Sequence, residues 1–172
     1  MKYKKSLLFA ISLLFFSLAF LSCDTDDNCR KERFVSVSVD FKKAVIDSLG
    51  IQTLSTFSVD SVDLWGIDND SLILNNQKRS SSAKLYLNKF EEESRFHISF
   101  NDTIDTITIR HRNTEEFLSF QCGCVVTHVI DTVLITGHFI DSIAVKNNEV
   151  NTLTNNATNF ELYRHYNRYS GK

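Results

Sequence analysis

Proline is absent from the 172 residues, glycine occurs only 5 times, and methionine and tryptophan once each. So little proline and glycine excludes collagen-like and low-complexity chains. It also leaves most turns to Asn and Asp, which tolerate unusual backbone angles. Long apolar runs are equally scarce. There is one, near the N-terminus, which excludes a bundle of membrane helices. No G-x-S-x-G, no H-E-x-x-H and no glycine-rich phosphate loop occurs, so the sequence carries no enzyme signature and calls for no cofactor. What remains is 42% hydrophobic and 23% charged, too apolar for a disordered chain and of a length that suits one domain.

The apolar run has the form of an address. Lys2, Lys4 and Lys5 precede it, Leu7 to Leu21 follow with only Ser12 and Ser17 interrupting, and Ser22 stands before Cys23. This is the three-part pattern of a secretory signal peptide, too short for a comfortable membrane span. The tetrapeptide Phe20-Leu21-Ser22-Cys23 resembles a bacterial lipobox. That resemblance implies cleavage before Cys23, a diacylglyceryl thioether on its sulfur and an acylated new N-terminus. Several acyl chains hold a protein on a bilayer where one chain holds it only marginally. Asp24, Asp26 and Asp27 come next. They read either as a solvated acidic tether or as a resemblance to the surface-export signal of Bacteroidetes-type lipoproteins. The expected divisions are a lipoprotein signal at 1–22, a lipidated acidic tether at 23–32, a β-sandwich at 33–166 and a frayed tail at 167–172. Loss of the three signal lysines takes the formal charge from −2 to −5, a poor balance for binding nucleic acid.

Past the tether, apolar and polar residues alternate with period two, the signature of strands with one wet face. Val35, Val37, Val39 and Phe41 share one parity; so do Val62 and Leu64; Leu85 and Leu87; Phe96, Ile98 and Phe100; Ile107 and Ile109; and Phe160 and Leu162. Leu118, Phe120, Cys122, Cys124 and Val126 also share a parity, which predicts a strand there with the cysteines on its core face. Asn101-Asp102 and Asp68-Asn69-Asp70 predict tight turns. Stretches 75–82 and 146–156 read as polar loops, and Lys42 to Leu49 as room for one or two helical turns. About eight or nine short strands at near-regular spacing predict an all-β antiparallel sandwich, immunoglobulin-like or similar.

With Cys23 lipidated, three thiols remain: Cys29, Cys122 and Cys124. Residues two apart on a strand lie ~6.6 Å apart, whereas bridged Cβ atoms lie ~3.8 Å apart. Cys122 and Cys124 therefore cannot pair unless the strand breaks at Gly123. Cys29 with Cys122 is the preferred disulfide in an oxidising envelope, with Cys124 as alternative partner or free thiol and buried free thiols as the plain alternative. Cys122, Cys124, His128 and His138 invite a metal reading. Along a strand, however, Cys124 and His128 lie ~13 Å apart, too far to share an ion, so no metal is expected. Asp68 and Asp70 lack the glycine and distal glutamate of a calcium loop. His97 falls on the wet face, and His111 reads as a satisfied histidine at a strand end.

Trp65 and the stretch Tyr163-Arg164-His165-Tyr166-Asn167-Arg168-Tyr169 supply rings that can stack on sugars, though a lone Trp on an apolar strand is more often core. Finally, Leu85-Tyr86-Leu87, Asp105-Thr106-Ile107-Thr108-Ile109, Phe117-Leu118-Ser119-Phe120-Gln121-Cys122-Gly123, Ile140-Asp141-Ser142-Ile143 and Asn159-Phe160-Glu161-Leu162-Tyr163 together resemble a family of small Bacteroidetes-type envelope lipoproteins, a domain of unknown function with a Cys-Gly element. The resemblance runs from Lys84 to Arg164 and implies an envelope lipoprotein with no activity to transfer. The functional expectation is a non-enzymatic, lipid-anchored outer-membrane protein. Its partners would be the membrane, through the anchor, and an envelope protein or glycan. Carbohydrate binding is the alternative, and a thiol or metal site a more distant one.

Overall fold

The computed structural model describes residues 35–47, 49–67, 72–100, 102–120 and 122–167. Among these the chain forms eleven strands and no helix. The strands make two sheets that pack face to face. One holds β1 (Val37–Ile46), β2 (Gln52–Thr56), β5 (Ser82–Leu85), β9 (Ser142–Val145) and β11 (Thr158–Asn167), ordered β2-β1-β11-β9 with β5 also on β1. The other holds β3 (Val62–Gly66), β4 (Leu72–Gln77), β6 (Glu93–Phe100), β7 (Thr103–Ser119), β8 (Gly123–Ile135) and β10 (Glu149–Val150), ordered β10-β8-β7-β6-β3-β4.

Alternation does what it predicts. Val37, Val39 and Phe41 of β1, and Phe160 and Leu162 of β11, face Val62 and Leu64 of β3, Ile98 and Phe100 of β6, and Ile107 and Ile109 of β7 in one core. The Phe41 and Phe100 rings meet edge to face across the two sheets, centroids 5.4 Å apart. Each such fully buried side chain stabilises the fold by about 1.5–3 kcal/mol relative to exposure. A turn falls between Phe100 and Thr103, where the sequence predicts one. Phe100 pairs with Thr103 across it, and Asp102 has φ 68°, the left-handed region that Asp tolerates better than most residues. The Asp68-Asn69-Asp70 turn lies outside the described residues.

Five expectations change. The strand count rises from eight or nine to eleven, because β10 has only two residues and β2 is exposed along its whole length, so neither shows an alternation of buried and exposed positions. One pair is parallel: β1 runs alongside β11 in the same direction, Phe41 beside Leu162, in an otherwise antiparallel sandwich. Period two says which residues face inward and nothing about strand direction. Lys42 to Ile46 are strand rather than helix. β1 continues to Ile46 because β11 and β2 take up the backbone hydrogen bonds on its two edges. And 118–126 is not one strand. β7 ends at Ser119, Gly123 takes φ 72°, and β8 returns with Cys124 paired to Phe117. The stretches read as polar loops also carry structure, since Asn75 to Gln77 belong to β4 and Val150 of β10 is buried.

Candidate functional site

The β7–β8 hairpin brings the cysteines to one end of the sandwich. Cys122 sits in the connection, buried, its N–H donating to Ser119 Oγ at 3.0 Å, and it is disulfide-bonded. Cys124 is free and exposed. The chain does break at Gly123, the one geometry that would let these two pair, yet they are not joined to each other. Cys23 and Cys29 lie outside the described residues. Phe120, expected on the core face, is 95% exposed, and its ring meets the exposed Phe117 edge to face at 5.4 Å. Cys124 lines a cavity of about 390 Å³ together with Val35, Tyr86, Lys89 and His128.

Beneath that cavity runs a buried polar relay that period-two reading did not anticipate. The Asn113 amide nitrogen donates to the carbonyl oxygens of Glu91 (2.8 Å) and Asn88 (3.2 Å). Its Oδ1 therefore accepts from Nδ1 of His128 at 2.7 Å and of His111 at 2.9 Å, which sets both rings as the Nδ1–H tautomer. His111 Nε2 is then an acceptor for the Ser94 hydroxyl at 2.9 Å, and Ser94 Oγ accepts the Asn88 N–H at 2.8 Å. His111 is not at a strand end. It lies mid-β7, where the ladder skips Asp131 of β8 and the register shifts, and the ring is 1% exposed. Burial drives the His111 pKa below its ordinary value against the hydrogen bond that its Nδ1–H donates to Asn113. Burial, with the repulsion that a protonated His111 would exert, takes His128 down to about 4. Both rings are neutral at neutral pH.

Ser94, His111 and Asn113 follow the order nucleophile, base, orienter. But Ser94 is 4% exposed and its oxygen is already occupied by the Asn88 N–H, so the hydroxyl has no face to offer a substrate. What the relay does is fasten the β5–β6 loop onto β7 and β8. The sequence did give one signal, the parity that His111 shares with Ile107 and Ile109.

Two further buried polar groups serve as fasteners. Asp105, on that same inward parity, accepts the Thr136 hydroxyl (2.8 Å) and the N–H groups of His138 (2.6 Å), Phe139 (2.8 Å) and Ile140 (2.9 Å). Burial raises its pKa, but the bonds from Ile140, His138, Phe139 and Thr136 outweigh that and hold it below the usual carboxylate range. Asn159 joins three segments: its Oδ1 accepts the Ser38 N–H and its amide donates to the carbonyls of Asn147 and Glu149.

The expected sugar-binding rings do not come together. Trp65 is not part of the core. It lies half-buried on the face of β3 opposite Val62 and Leu64, against His97 at 5.4 Å. Tyr163 is buried, and its hydroxyl donates to Glu161. Glu161 also pairs with Lys146 at 3.0 Å and Lys42 at 3.6 Å, and the Tyr163 and Lys146 bonds overcome burial to lower its pKa. The same bond raises that of Tyr163. Tyr166 has the opposite parity and faces the other side of β11, between Phe57 at 6.1 Å and Lys43 Nζ at 4.4 Å from its ring. The metal candidates are likewise dispersed. Cys124 and His128 share a cavity, while His138 bonds the Ile104 carbonyl near the other end of β7. Among the described residues no three His, Cys, Asp or Glu side chains are grouped to hold a metal ion, and no helix is long and apolar enough to cross a membrane.

Fold and fasteners define a two-sheet, all-β sandwich closed by buried polar groups. The chain belongs to DUF6452, a family of unknown function, which matches residues 61–164. That span begins upstream of the resembling segment and takes in β3 through most of β11. It includes Asp105, the relay and the Cys122-Gly123 element. No curated protein and no solved structure matches the chain.

Proposed function

We propose that the protein is a lipid-anchored component of a bacterial cell envelope, of Bacteroidetes type, whose sandwich has a binding or structural role and no catalytic one. The observation that carries this reading is Phe20-Leu21-Ser22-Cys23 behind a basic n-region and a 15-residue apolar run. Charge, length and cysteine position agree on one processing route. The anchored chain sits in the outer membrane, and the acidic Asp24, Asp26 and Asp27 keep the tether solvated. Cys29 is the partner of Cys122, so the tether is stapled at the β7–β8 connection and Cys124 stays reduced.

The polar chemistry of the body supports a non-catalytic role. Ser94, His111, Asn113 and Asp105 all spend their hydrogen bonds on holding loops. The reading is tested by metabolic labelling with a palmitate analogue. The wild-type chain takes up label and accumulates as precursor under globomycin. Cys23→Ser abolishes both. A labelled Cys23→Ser chain, or an unlabelled wild type released into buffer, refutes the anchor.

A further inference from the structure

We propose that the tip of the β7–β8 hairpin is a second membrane contact, seated in the interfacial layer of the bilayer that holds the anchor. This rests on the lipid-anchor reading above and adds an interaction surface to it.

Single exposed apolar side chains, such as Leu49 or Leu153, are ordinary on a protein surface. The hairpin tip differs in three ways. Phe117 (58% exposed) and Phe120 (95% exposed) are in contact with each other, so the exposed apolar surface is continuous. Thr114 to Phe117 are exposed on both faces of the strand, while Cys122 and Val125 on the returning side stay buried, so the open side of the tip is its β7 side. And the rings are aromatic, the side chains that favour the headgroup boundary of a bilayer.

The path of the chain says which occupant covers this tip. Val35 lines the same cavity as Cys124, and Cys124 pairs across the hairpin with Phe117. The body is therefore entered beside the tip of the hairpin. Cys23 lies twelve residues before Val35, a reach of at most ~40 Å when fully extended. A tether that joins the body beside the tip leaves Phe117 and Phe120 on the end of the sandwich from which the chain runs back toward Cys23. Glu115 and Glu116 are exposed beside the rings and disfavour an anionic surface. The fitting partner is thus a zwitterionic bilayer, entered by the two rings with the carboxylates left in water. Leu49 provides the contrast. It is 81% exposed but lies beyond the far end of β1 from Val35.

The experiment uses the full lipidated chain, purified from envelope and reconstituted in phosphatidylcholine vesicles with brominated acyl chains. Trp65→Phe removes the native indole, and Phe120→Trp or Leu49→Trp supplies a reporter. The expected result is that the Phe120→Trp chain loses about half its emission or more to bromine and shifts to the blue, while the Leu49→Trp chain does neither. If both chains float with vesicles and are quenched alike, the hairpin contact is wrong and the anchor stands. If neither floats, the anchor reading falls and takes the contact with it. A blue shift of the Phe120→Trp chain that appears in detergent and grows with protein concentration assigns the tip to a second copy of the chain and overturns the proposal.

Discussion

The carboxylate of Asp105 accepts the backbone N–H of Ile140 at 2.9 Å, 35 residues further along the chain. With the bonds from His138, Phe139 and Thr136 it ties the β8–β9 connection across the end of the sandwich. Ile140 is thereby held in the core and Phe139 stacked on Phe100 at 4.8 Å. Asp105→Asn replaces one acceptor oxygen with a donor that faces N–H groups. It is expected to cost on the order of 3 kcal/mol or more, read as a fall in the urea midpoint with an unchanged m-value. An unchanged midpoint would show that the loop is held by other means.

The His128 relay gives the fold a pH dependence with a definite sign. Its pKa is about 4 when folded and 6.5 is the ordinary value. The unfolded chain therefore binds the proton more readily between those values, and stability falls as pH drops through that window. The stabilisation is complete above about pH 6.5, and about 3 kcal/mol of it is lost on reaching pH 4. His128→Asn should flatten that slope in urea titrations at a series of pH values. His111, whose pKa is also lowered, keeps its own share of the slope, and a slope wholly unchanged by the substitution would place the titration elsewhere.

Phe41→Ala removes a ring that both sheets share. The cost expected is about 3–5 kcal/mol, as for other large-to-small changes in a close-packed core. Trp65→Phe, on the half-buried outer face of β3, should cost less than about 1.5 kcal/mol. Thermal unfolding of the two variants distinguishes a core ring from a surface one.

Alkylation without reductant should modify Cys124 and leave Cys122 intact, since the first is free and exposed and the second is disulfide-bonded. Peptide mapping of unreduced protein should recover a Cys29–Cys122 pair. Cys29→Ser should then lower stability by about 2–4 kcal/mol. Recovery of a peptide linked through Cys124 would reverse the assignment.

Period two was enough to find Phe96, Ile98, Ile107 and Ile109 and the sandwich they fill, because a half-buried strand must alternate. It failed where the same parity ran through a turn. Leu118, Phe120, Cys122 and Cys124 keep step in the sequence, but Gly123 reverses the chain among them, so Phe120 ends in solvent and Cys122 inside. The parallel pairing of β1 with β11 was invisible for a different reason, since partner and direction are set over more than a hundred residues of chain. Asp105 and His111 were within reach. Each shares the inward parity of Ile107 and Ile109, and a polar side chain on an apolar face announces a buried hydrogen-bond network. Their partners, Ile140 and Asn113, are fixed only by the folded geometry.

Intact-mass analysis of the mature protein, extracted from envelope with detergent, tests the central claim most directly. The account predicts a chain that starts at Cys23 and carries a diacylglyceryl group and an N-acyl chain, with both adducts on that residue by fragmentation. A mature chain starting anywhere else, or starting at Cys23 without lipid, would contradict it.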